Sequence, residues 1–191
     1  MSVFYFIGVY LLGIIFAGAW LDKARKQKAH VQQINAYRLL PPSFAAPMFY
    51  LFLLIELVCT VYLFIWNMSV LPAIGLTALL CIYTGAVTFN LMRGHRDISC
   101  GCGGLLENDR LHWGIVIRNL LMLTLVAGLF YVHVHPSVEM ISLRLKMICF
   151  LIAAAVCLII AVSQEIVLLK RKWIDSFQIA DGSIIEGDKM K

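Results

Sequence analysis

Charge is the scarce ingredient of this sequence. Asp, Glu, Lys and Arg supply 14% of its 191 residues while hydrophobic residues supply 61%, and the mean hydropathy is +0.86. Soluble domains carry about 25% charged and roughly 45–50% apolar residues, so a globule bathed in water is excluded. The apolar–polar alternation of a β-barrel strand is missing, as are internal repeats and low-complexity tracts. A basic stretch ahead of the first apolar run is missing too. The "AGA" at 17–19 imitates a signal-peptide cleavage site, but "MSVFYFIGVY" lacks the basic start such peptides carry, so this run is read as a retained helix.

What is there is enough apolar sequence for five membrane crossings, each needing about 20 residues. They run over 3–21, 47–66, 70–92, 113–133 and 145–169. Backbone amides in lipid must find partners within their own segment, which leaves helices. The expected fold is therefore an all-α integral membrane protein, a four-helix transmembrane bundle plus a fifth, peripheral transmembrane helix. Residues 1–169 form the transmembrane domain and 170–191 a polar C-terminal tail. Small residues within the spans (Gly8, Gly13, Ala17, Gly75, Gly85, Ala86 and Ala153 to Ala155) suit close helix packing.

The longest loop, 22–46, places Val31, Ile34, Tyr37 and Leu39 or Leu40 at near-helical spacing among Lys, Gln and Arg, the pattern of an interfacial helix closed by Pro41 and Pro42. This loop, the third loop and the tail share one side and hold thirteen basic residues. The other side holds Arg144 and Lys146. By the positive-inside rule the third loop faces the cytoplasm.

That third loop contains "DISCGCGGL". Four of the six cysteines (Cys59, Cys81, Cys149 and Cys157) lie within spans, where a thiol behaves as a small hydrophobe. Cys100 and Cys102 instead flank Gly101 in a polar loop, with Gly103 and Gly104 after them. A disulfide across one residue needs an unusually tight turn, because its Cα atoms must approach within about 7 Å. Gly101 supplies the freedom for that turn and Gly103 and Gly104 let the chain leave it. Strain of this kind favours reduction, which suits thiol exchange. Two alternatives remain: an inert turn, and a zinc site completed by His95 and His112.

Two polar residues within spans point the same way. Arg118, beside Asn119, lies roughly 8 Å below the start of the fourth span and Glu56 roughly 13 Å below the start of the second, both measured from the side of the cysteine loop. Ionisable groups in a bilayer are rare and need partners, so Arg118 and Glu56 are expected to pair, directly or through a water. One reading is a polar pocket whose positive charge favours a thiolate; the other is an ion pair that only fixes packing.

"FAGAWLDK" (16–23), "INAYRLLPPS" (34–43), "NLMRGHRDISCGCGG" (90–104) and "LHWGIVIRNLL" (111–121) resemble the MauE family of methylamine utilisation membrane proteins, within the DoxX-like group. Gly103 stands where the family often has an aromatic residue. The resemblance implies a bacterial inner-membrane protein that helps to mature methylamine dehydrogenase, through processing, disulfide formation or export of its β subunit, together with a periplasmic thioredoxin-like protein. Carried over by position, the redox residues are Cys100 and Cys102. Asn90, Arg118 and Asn119 are their neighbours in the family pattern, without assigned chemistry. The arrangement is also similar in architecture to quinone-linked vitamin K epoxide reductases, an analogy that offers a membrane quinone as cofactor and places the thiols on the exported side. No resident metal and no nucleic-acid partner is expected.

Three functions of different kind follow: a thiol–disulfide relay, a redox-silent scaffold for the same maturation step, and a small-molecule or metal transporter. Five spans and one central charge pair lend the transporter little support.

Overall fold

The computed structural model describes residues 2–39, 41–94, 98, 111–135 and 142–188, with side chains in the last helix as far as Ile166 and at Leu169, Lys170 and Trp173. Six helices account for the described secondary structure: α1 (Ser2–Arg25), α2 (Gln27–Ala36), α3 (Pro42–Trp66), α4 (Val70–Met92), α5 (Trp113–Val134) and α6 (Leu143–Asp188). Five of them are long and apolar enough to cross a membrane: α1, α3, α4, α5 and Leu143–Ile166 of α6. The protein is an all-α, multi-pass membrane protein.

Local chemistry sets the helix ends. Lys26, at φ −109° and ψ 38°, separates α1 from α2. Arg38 takes a left-handed conformation at φ 51° as α2 closes, and Pro42 starts α3 in the first turn, where its missing N–H costs nothing. Gly94, at φ 79°, ends α4 by donating its N–H to the Leu91 carbonyl, a glycine-terminated cap. Between α3 and α4 only Asn67, Met68 and Ser69 intervene, and the buried Met68 donates its N–H to the Tyr5 hydroxyl of α1 at 3.2 Å.

Around the bundle α1 packs on α3, α3 on α4, α4 on α5, and α5 returns to α1. Phe6, Val9 and Leu12 of α1 meet Leu63 of α3, Leu76 of α4 and Val126 of α5 in the core. Two glycines permit close approach: a Cβ on Gly8 would stand 2.9 Å from the Leu129 side chain, and one on Gly75 would collide with the Cys59 thiol. Leu54, Ile65, Ile74 and Leu121 face outward, where lipid replaces water.

The first part of α6 lies outside this ring. Cys149 and Ala153 are buried and the Phe150 ring sits edge-on to Tyr10, while Met147, Ile148 and Leu151 are exposed. The helix backbone continues past position 169, through most of the stretch that sequence assigned to a tail.

Successive crossings reverse direction, so the end of α1, all of α2, the start of α3, the end of α4 and the start of α5 gather at one end of the bundle. The expected interfacial helix is α2, shorter than the loop that holds it because α1 and α3 each extend into that loop. It packs against α3 and α1. Asp22 fastens the break between α1 and α2, its carboxylate 2.9 Å from Lys26 Nζ and 3.3 Å from His30 Nε2.

Candidate functional site

Cys100, Cys102, Gly101, Gly103 and Gly104 lie outside the described residues, as does His95 of the alternative zinc set. The structure describes what brackets them. Ile98 precedes Cys100 by two residues and packs against a buried cluster made by Tyr37 after α2, Val87 and Leu91 of α4, Leu111, and Ile115 and Val116 of α5. Leu111 reopens the described chain after the thiol loop and is 2% exposed. Both described flanks of the loop are therefore rooted in one apolar cluster. Tyr37 belongs to that cluster, and burial pushes its phenol above the usual tyrosine range, so it stays protonated.

Beneath this end lies a buried polar group. Lys23 is 4% and Glu56 1% exposed, and Lys23 Nζ donates to both carboxylate oxygens, at 2.9 Å to Oε1 and 2.8 Å to Oε2. Its third contact is the Tyr83 hydroxyl of α4 at 3.3 Å. Sequence had assigned Glu56 to Arg118; its direct partner is Lys23. The difference arises because α1 runs on to Arg25, which turns a presumed loop charge into a core residue. Leu12, Phe16, Ala19 and Lys23 follow one another at four-, three- and four-residue steps along the buried face of α1. That spacing was the available signal for Lys23; Tyr83 carried none.

Arg118 is nonetheless close by. With Asn119, Glu56 and Tyr83 it lines a cavity of about 30 Å³, room for about one water molecule. Asn119 is 4% exposed and its Nδ2 has no hydrogen-bond partner among the described residues. Asn90, fully buried in α4, donates Nδ2 to the Ala86 carbonyl at 3.0 Å while its Oδ1 is unpartnered among the described residues. Buried polar groups left in this way are expensive. The two asparagines singled out by sequence thus sit in the polar interior of α4 and α5.

A second, larger cavity of about 350 Å³ opens between α2, α3 and α4. Lys23 and Tyr83 reach it from the polar group, and His30 and Tyr37 from the α2 side. Sequence reasoning did not foresee it, because the face of α2 that lines it includes His30, which reads as polar.

The family model described as methylamine utilisation protein MauE matches residues 1–132. The chain belongs to the MauE family. The match takes in the four-helix ring, α2 and the thiol loop, and ends before α6. MauE of Paracoccus denitrificans is 26% identical over 118 residues, 62% of this chain and 63% of that protein. MauE of Methylophilus methylotrophus is 32% identical over 91 residues, 48% of each chain. The aligned part thus spans less than two thirds of either MauE relative. No solved structure matches.

Proposed function

We propose that the chain is a component of bacterial methylamine utilisation in the inner membrane, relaying disulfides through Cys100 and Cys102 while the methylamine dehydrogenase β subunit matures. Its partner in exchange is a thioredoxin-like protein of the same pathway. In each exchange one thiolate attacks a disulfide sulfur and forms a mixed disulfide. The second thiol, deprotonated, then displaces that partner as a dithiol, and Cys100 and Cys102 are left joined; attack by a client thiolate runs the same steps in reverse, so that the client gains the disulfide and both thiols are restored. Arg93, Arg96 and Arg110 in the same loop favour the attacking thiolate.

The observation that supports this reading is the packing of Ile98 and Leu111, the described residues on either side of the thiols in sequence, in one buried cluster with Tyr37 and α4 and α5 residues. Both relatives are methylamine utilisation proteins, which supports the pathway. The test is Cys100→Ser and Cys102→Ser in the native host, followed by immunoblot of the membrane fraction and measurement of mature β subunit. The relay requires a normal amount of the membrane protein with little mature β subunit, and a mixed disulfide trapped by one single variant. Normal β subunit in both variants would replace the relay with a scaffold. Loss of the membrane protein would mean that the thiols serve its own structure.

A further inference from the structure

The cavity of about 350 Å³ between α2, α3 and α4 is of small-molecule size, within a range of roughly 300–1,000 Å³. Its depth follows from the helices that line it. Met48, Phe49 and Phe52 come from α3, and Ile82, Tyr83 and Ala86 from α4. At about 1.5 Å per residue, both sets lie roughly 9–15 Å along their helices from the ends beside α2. Half of a bilayer's hydrocarbon core is about 15 Å thick. With α2 at the interface, the cavity therefore lies at the depth of lipid acyl chains.

The two basic groups on the lining are engaged inside the protein. Lys23 Nζ donates to both Glu56 oxygens and to the Tyr83 oxygen. His30 is 3.3 Å from the Asp22 carboxylate and lays its ring nearly parallel to Phe49, 9° apart. Ile34, Met48, Phe49, Phe52 and Ile82 add apolar wall. Such a lining calls for no charged group within it and suits an alkyl chain. Leu39 and Ile82, both exposed, border the cavity and leave a way in from the membrane.

The rim, by contrast, carries charge of one sign. Positions 22 to 46 hold one acid, Asp22, against Lys23, Arg25, Lys26, Lys28 and Arg38. Lys23 is paired with Glu56, and Lys26 with Asp22 at 2.9 Å. Arg25, Lys28 and Arg38 remain exposed, with no acidic partner among the described residues. Arg38 stands between Tyr37 and Leu39 in sequence, and both of those line the cavity. Basic groups on an interfacial helix draw anionic lipids.

We propose that the cavity seats one acyl chain of an anionic phospholipid, whose phosphate is held at the rim by Arg38. Arg25 and Lys28 add to the positive charge of that end of the bundle. Tyr37 and Ala86 line the cavity and also pack in the cluster that holds Ile98, so the lipid shares side chains with that cluster. This binding goes beyond the relay and does not depend on it.

The experiment uses the full chain in a nonionic detergent, titrated with phosphatidylglycerol and, separately, with phosphatidylethanolamine of the same acyl chains. Native mass spectrometry counts the lipids retained. One tightly held phosphatidylglycerol per chain is expected, with phosphatidylethanolamine at least fivefold weaker. Arg38→Gln should weaken phosphatidylglycerol roughly fivefold, the usual worth of one basic residue at an anionic surface. Arg25→Gln/Lys28→Gln/Arg38→Gln should reduce it to the level of phosphatidylethanolamine. Ala86→Trp should remove the retained lipid by filling the cavity, and Ile34→Trp repeats that test from the α2 side. An excess of inorganic phosphate should displace none of it. Equal affinity for the two lipids would overturn the proposal, as would unchanged retention in both tryptophan variants or an unaltered preference in the triple variant. Displacement by phosphate would assign the rim to a free anion instead. A non-lipid molecule that leaves the unaltered protein at one per chain, and is missing from Ala86→Trp, would likewise overturn it.

Discussion

Lys23 Nζ and Glu56 Oε2 meet at 2.8 Å, although the two residues lie 33 positions apart on different helices. The contact joins α1 to α3 in the low-dielectric interior, where removing one partner strands the other charge. A buried pair broken in this way costs about 3–5 kcal/mol, whereas replacing both partners by apolar residues is often neutral.

Lys23→Met and Glu56→Leu should therefore each lower the amount of protein in the membrane fraction and its melting temperature in detergent. The double variant should recover most of both. If it is as poor as the single variants, the pair has a role beyond mutual neutralisation.

Cys59, Cys149 and Cys157 are buried within the helices, whereas Cys100 and Cys102 belong to a polar, glycine-rich loop. A water-soluble maleimide should label Cys100 and Cys102 in membranes under reducing conditions and leave those three silent. Mass spectrometry of the labelled peptides reads the result. The same reagent applied to intact cells reports the side: labelling from outside fits exchange on an exported subunit, and protection fits the excess of basic residues that the sequence places on the side of the loop.

Gly75 allows α4 to close on the Cys59 thiol of α3. Gly75→Ala should destabilise the bundle by about 1–3 kcal/mol, the usual cost of overpacking. Cys59→Ala in the same chain should restore much of that loss. A thermal melt of the three variants in one detergent checks it, and no recovery in the double variant would place the cost elsewhere.

The sequence alone determined the crossings. The expected span 70–92 coincides with α4, and 113–133 falls one residue short of α5, because length and apolarity are local properties that a bilayer reads directly. It also singled out the thiol loop, Glu56, Arg118, Asn90 and Asn119, since polar groups stand out against an apolar background. Only the tertiary structure decided which side of each crossing faces the core, because a helix that is apolar all round carries no stripe to orient it. Lys23 read as a loop charge because the apolar run was expected to end at Leu21, two residues before it, whereas α1 continues to Arg25; Tyr83 read as one more aromatic. Their meeting with Glu56 depends on how three helices pack, and the cavity beside them exists only once α2 has folded against α3.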